Sequence, residues 1–253
     1  MNTRRILPVL LALILALPAL PALAQFQGTI TFDSYQIEDG ERRDADTFTL
    51  HLTPERILLQ GEYSYDSNMP FKTEGMLVRL DFEDFVFLTG NDMALTITKD
   101  DLTSFMTMFS GEAASMQQQA EEADERIDYE RTGEMRQIQG YSCEKFVFRD
   151  RENPNQHTEI WMTDGLDINW GMLAESWLDS PSMLGGSDLS FTPVFQEGFF
   201  PMRIDHFGED GKVSVTEVRS IDQSSVARAM VEIPSGVQVL SLQDFLFQQM
   251  NGN

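Results

Sequence analysis

Three histidines, one cysteine and a surplus of carboxylates are the groups in this 253-residue sequence with chemistry to offer. His51 and His206 fall inside alternating stretches and His157 lies beside a turn. None of the three has a second histidine at the close spacing that zinc sites favour. His157 and Glu159 form the one close histidine–carboxylate pair, and their spacing of two reads as neighbours on one face of a hairpin. Cys143 sits in the strand-like run Gly140-Tyr141-Ser142-Cys143-Glu144-Lys145-Phe146. Lys145 is the only cation near it in sequence, so it reads as a small buried hydrophobe, not a reactive thiol. Being single, it excludes an internal disulfide. No Gly-x-Ser-x-Gly elbow occurs, and Gly185-Gly186-Ser187 lacks the strand–turn–helix context a nucleophile needs. The acid-rich stretches 39–46 and 121–125 lack calcium-loop spacing and read as solvated surface. The expectation is therefore no catalytic residue, no metal, no cofactor and no enzymatic activity.

The N-terminus points to export. Arg4 and Arg5 precede a short apolar run over residues 6–20, and Ala22-Leu23-Ala24 supplies a small-x-small cleavage site before Gln25. The run is too short for a comfortable membrane span. Residues 1–24 thus read as a signal peptide of the general secretion route, and residues 25–253 as a single mature domain, periplasmic or alternatively secreted, that does not span the membrane. No cysteine follows the cut to carry a lipid anchor. The formal charge of −23 argues against nucleic acid and against anionic membrane surfaces. With 42% hydrophobic residues the chain has ample material for a core.

The elements that must position any site are mostly strands. Phe26, Gly28, Ile30 and Phe32 alternate with polar residues, as do Phe48, Leu50 and Leu52, then Met76, Val78, Leu80 and Phe82. Residues 56–63, 85–88 and 93–97 complete an antiparallel meander, with a loop over residues 63–73. Further strands are expected over 128–139, 141–150, 156–163, 201–207, 212–221 and 226–233, with a short C-terminal helix over 241–250. Between the two runs of strands, residues 98–126 read as the one long helix. Leu102, Phe105, Met106, Phe109, Ala113, Met116 and Ala120 recur at three and four residues, and Thr98 with Asp101 makes a capping-box-like start. Residues 161–200 are apolar without clean periodicity, with a short helix expected over 171–178. The fold class is mainly β (α+β), about ten strands in one domain.

Four stretches carry a family likeness: Phe26-Gln27-Gly28-Thr29-Ile30; Ile138-Gln139-Gly140-Tyr141-Ser142-Cys143-Glu144-Lys145-Phe146; Glu159-Ile160-Trp161-Met162-Thr163; and Phe200-Pro201-Met202-Arg203-Ile204 with Glu232-Ile233-Pro234-Ser235-Gly236. They resemble a bacterial exported family of unknown function (DUF4412-like) and, with it, the LolA/LolB-type lipoprotein-carrier fold. The resemblance implies a strongly curved antiparallel half-barrel, open on one side, whose concave face is plugged by the long helix and short helices. It places no ligand-contacting residue of those carriers on this chain.

The remaining signal is apolar. Met106, Met108, Met116, Met162, Met172, Met183 and Met202 gather in the helix and the later apolar stretch, and methionine recurs where a surface adapts to varied apolar ligands. Any one of them alone is most simply core filling. Taken with the resemblance, they suggest an exported, non-enzymatic envelope protein holding a lipid, an acyl chain or a lipoprotein acyl group. Leu102, Phe105, Met106, Phe109, Trp170, Met172, Trp177 and Met183 are the candidate contacts. The alternative is a lipid-free envelope module that binds a protein partner or senses envelope stress.

Overall fold

The computed structural model describes residues 25–61, 73–89, 92–101, 127–150, 155–174, 197–209 and 211–251. Twelve strands form one curved open sheet. They are β1 (Gly28–Glu38), β2 (Glu41–Leu52), β3 (Arg56–Gly61), β4 (Gly75–Arg79), β5 (Asp84–Thr89), β6 (Met93–Thr98), β7 (Ile127–Ile138), β8 (Tyr141–Asp150), β9 (His157–Thr163), β10 (Phe200–Gly208), β11 (Gly211–Asp222) and β12 (Gln238–Ser241). The spatial order is β12-β6-β5-β4-β3-β2-β1-β11-β10-β9-β8-β7, so β1 and β11 join the two meanders at the centre. Every pairing is antiparallel except β12 on β6, which is parallel. One helix, α1 (Leu242–Asn251), follows β12.

Two expectations are corrected. The sheet has twelve strands where about ten were read. Residues 226–233 form no strand; Arg228–Val231 is a 3-10 turn, and the missing strand is the four-residue β12 beyond it. Within residues 171–178, a 3-10 turn occupies Gly171–Ala174. The capping box of Thr98 is present: its hydroxyl donates to Asp101 Oδ2 (2.7 Å) and accepts from the Asp101 amide (3.1 Å), and residues 99–101 open a helical turn. The rest of the long helix, the loop over 63–72 and the signal segment lie outside the described residues.

Side chains alternate across the sheet, and the two faces differ. One face carries the main core: Ile30 and Phe32 of β1, Leu52 of β2, Ile57 of β3, Val78 of β4, Phe85 and Phe87 of β5, and Leu95 and Ile97 of β6. On the opposite face Leu58, Leu77, Val86 and Ala94 form a second cluster with Val226 and Val231. Strands β3 to β6 are therefore buried on both sides, which explains unbroken apolar runs such as Phe85-Val86-Phe87. Across β1, β11 and β10 the opposite face is charged instead. Arg203 grips Asp205 bidentately (2.9 Å twice) and pairs with Glu217, Lys212 Nζ donates to Asp205 Oδ1 (2.8 Å), and the Tyr35 hydroxyl donates to Glu217 (3.0 Å). Burial pushes the Asp205 carboxyl up, but Arg203 and Lys212 outweigh it and hold it below its ordinary range.

Candidate functional site

The main apolar face carries a run of aromatic rings that reaches across β2, β1 and β10. Phe48 of β2 stacks on Phe32 of β1 at 4.7 Å and 3°. Phe32 meets Phe200 of β10 at 5.9 Å, and Trp170 stacks on Phe200 at 6.0 Å and 11°. Three of these rings stand on strands because their positions alternate toward the core. The fourth comes from residues 164–174, which contribute no strand. That segment leaves the end of β9 and is tied at two points, the Phe26 amide donating to the Asp167 carbonyl (2.6 Å) and Asn169 Nδ2 to the Pro54 carbonyl (2.8 Å), while the Gly171 amide donates within it to Asn169 Oδ1 (3.1 Å). Gly171 holds φ +47, a left-handed conformation that suits glycine. The resulting turn delivers Trp170 and Met172, both buried, into the core beside Leu166, Phe200 and Met202.

Of the candidate contacts, Trp170 and Met172 come together on this face. Leu102, Phe105, Met106, Phe109, Trp177 and Met183 lie outside the described residues. Phe32 and Phe48, which help complete the ring stack, were legible only as alternating strand residues, and Phe200 only as the end of the apolar stretch 161–200. Nearby, Phe146, Phe148, Ile160 and Met162 form a further apolar cluster with Phe199 and Ile204. Tyr129 of β7 stacks against Phe146 and Phe148, and Arg131, paired with Glu144, covers Phe146 and Phe199.

The chemically capable groups do not converge. His51 Nδ1 shares a hydrogen with Thr29 Oγ1 (3.0 Å), and His206 Nδ1 with Thr158 Oγ1 (2.9 Å). Burial holds both imidazoles below their ordinary range. His157 stacks on Phe207 at 4.5 Å, with Nε2 3.8 Å from Glu159. Cys143 is fully buried, its thiol pushed up by that burial and donating to the Tyr141 carbonyl at 3.5 Å. Among the described residues no group of three His, Cys, Asp or Glu side chains is placed to hold a metal. A surface cleft of about 610 Å³ is lined by Thr47, Thr49, His51, Gln60, Gly61, Thr73 and Glu74. It lies on the face opposite the ring stack, where the His51 row of β2 points.

Residues 85–237, more than half of the chain, match the model of the domain of unknown function DUF4412. The chain belongs to the DUF4412 family. No curated protein matches it. Among solved structures, this DUF4412 chain is similar to PNGF-II, at 14% identity and a TM-score of 0.47 over 88% of this chain and 32% of that one. It thus spans about a third of PNGF-II. It is also similar to the MucA/MucB complex of Pseudomonas aeruginosa, at 9% identity and a TM-score of 0.41 over 85% and 59% of the two chains. A LolA-superfamily protein from Nitrosomonas europaea is similar at 8% identity and a TM-score of 0.30 over 82% and 90%. Among the described residues of this DUF4412 chain no helix is long and apolar enough to cross a membrane.

Proposed function

We propose that this chain is an exported, non-enzymatic binding protein of the bacterial envelope. It holds an acyl chain or similar apolar group between the apolar face of its sheet and a plug. The plug comprises Trp170 and Met172 with Leu102, Phe105, Met106, Phe109, Trp177 and Met183. The observation that carries this reading is the origin of the Trp170 ring. It completes the Phe48–Phe32–Phe200 stack from a segment outside the sheet ladder, so it can leave without breaking a strand pairing. Residues 1–24, with their arginine pair, apolar run and small-x-small site, support export.

The energetics are balanced enough for exchange. Releasing Trp170 and Met172 from the core costs about 2–3 kcal/mol each in lost burial. An acyl chain returns about 0.8 kcal/mol per buried methylene, so roughly eight methylenes offset both side chains and a longer chain leaves a surplus. Longer chains are therefore favoured over shorter ones, the more so the more of the plug they displace. Organic extraction of the protein purified from its native host, followed by mass spectrometry, tests the reading. Fatty acid or phospholipid at near-stoichiometric amounts is the expected result. An extract free of lipid, together with an apolar probe that fatty acid does not displace, overturns it. The second reading, a lipid-free module for a protein partner, draws on β7, whose residues 129–137 are all exposed at the edge of the sheet. The same extraction separates the two.

A further inference from the structure

Beyond β11 the chain makes a strap that passes from one face of the sheet to the other. It first runs over the face opposite the ring stack, where Val226 and Val231 pack on Leu58, Leu77, Val86 and Ala94. Arg56 fastens it there: its guanidinium donates to the Val231 carbonyl (3.2 Å), pairs with Glu232, and donates to Asp81 Oδ2 (3.0 Å) on the β4–β5 turn. The Gln238 amide then donates to the Asp92 carbonyl (2.8 Å) and β12 adds itself parallel to β6. Up to Ser241 the strap is held by the ion pairs of a buried arginine, an apolar cluster and a strand ladder.

Downstream of Ser241 the restraints are of another kind. The Ser241 hydroxyl donates to Asp244 Oδ2 (2.7 Å) and accepts from the Asp244 amide (3.1 Å), a capping pair that starts α1 as β12 ends. Helix α1 then returns over the edge strand to the main apolar face, where Leu242 is buried in the core cluster and Phe245 packs against it. Gln243, Asp244, Phe247 and Gln248 are exposed. A helix of ten residues is marginal by itself, so the order of α1 depends on these contacts.

We propose that α1 is a displaceable plug that competes with the ligand for the apolar face. Leu242 and Phe245 fill part of that face when it is empty, and an entering acyl chain replaces them while β12 stays paired. Ser241 is the hinge, because it is the last residue held by the ladder and the cap of the helix that moves. This device rests on the acyl-binding reading above and adds a second mobile element, from the other end of the chain, to the Trp170 segment.

The test uses the mature full-length chain and the fluorescent fatty acid cis-parinaric acid, with Leu242→Ser/Phe245→Ser as the variant. Removing the two competing side chains raises probe affinity by about tenfold. Because that variant also loses core contacts, hydrogen exchange on the unaltered chain provides an independent measurement. Amides of residues 242–251 lose protection when the probe is added, and those of β12 keep it. Probe binding with unchanged α1 protection and no gain in the variant overturns the plug and leaves the acyl-binding reading intact. Failure of both chains to bind the probe overturns both.

Discussion

Arg56 is the sharpest point at which to perturb this fold, because a charged side chain only 5% exposed holds two distant parts of the chain together. Its guanidinium serves the Val231 carbonyl, Glu232 and Asp81 at once. Arg56→Met keeps the length and apolar stem but removes every one of these bonds. The Val231 carbonyl then loses its partner, at about 1–3 kcal/mol for a buried acceptor. Asp81 loses this counter-charge and Glu232 keeps only Arg228, and such a loss reaches about 3–5 kcal/mol when the remaining partner is fully buried. Here the side chains of Asp81 and Glu232 keep 29% and 34% of their exposure, so water recovers much of that energy. The net cost is about 2–4 kcal/mol, which lowers Tm by roughly 5–12 °C in a domain of this size. Thermal unfolding followed by circular dichroism measures the loss, and hydrogen exchange locates it. Protection falls first in residues 226–241, while β8 and β9 on the far side of the sheet keep theirs. Glu232→Gln, whose carboxylate also pairs with Arg228 at 2.9 Å, costs less. An Arg56→Met protein whose Tm stays within about 2 °C of the parent refutes the reasoning.

Three further outcomes follow from the same contacts. The Asp205 carboxyl is held below its ordinary range, so its contribution is fully present above the unfolded value of about 3.9 and is lost as pH falls through the folded value. Asp205→Asn therefore flattens the acid limb of stability below about pH 4, read from urea midpoints, and leaves Arg203 with Glu217 alone. His51 and His206 are held below the ordinary value of about 6.5, so the unfolded chain takes up protons first and stability drops as pH falls from about 6.5. The His51→Gln/His206→Asn variant has a flatter urea midpoint between about pH 7.5 and 5.5, and an unchanged slope refutes the assignment. Gly171→Ala places a Cβ 2.8 Å from Leu80 Cδ2 in a left-handed conformation, and costs about 1–2 kcal/mol in a denaturant melt.

How far the fold was legible depends on what each stretch packs against. Strands with one apolar and one polar face, such as β1 with Ile30 and Phe32 against Thr29 and Thr31, declare themselves by alternation. The Thr98–Asp101 capping pair was equally readable, because a cap is a local contact. Residues 226–233 misled because Val226, Val231 and Ile233 supply strand-like apolar content, yet they bury it through a 3-10 turn laid on β3 to β6. Nothing within the segment reveals that a second sheet face awaits it. β12 was missed for a related reason. Four residues carry too little pattern, and its pairing partner β6 lies more than a hundred residues earlier. The ring stack was hidden in the same way: Phe48, Phe32, Phe200 and Trp170 meet only when β2, β1 and β10 become neighbours or near neighbours. Trp170 was a candidate from the apolar stretch 161–200, but helical spacing could not have found Phe48, Phe32 and Phe200.

The distribution of burial also bears on which face the proposed ligand would use. On β3 to β6 the face opposite the ring stack is closed by the strap, which Arg56 and β12 pin in place. Across β1, β11 and β10 that same face is bound in the Arg203, Asp205, Lys212 and Glu217 pairs. Opening either region means breaking a buried ion pair or a strand ladder. The ring-stack face is covered differently: Trp170 and Met172 arrive on a segment tied by a few backbone bonds, and Leu242 and Phe245 on a short helix. Side-chain burial contributes to holding these covers, and an apolar ligand replaces burial in kind, whereas it offers an ion pair nothing. On the acyl-binding proposal, exchange of cover for ligand falls on the ring-stack face, and the two described covers, one from each side of β10 and β11 in sequence, are expected to move with it.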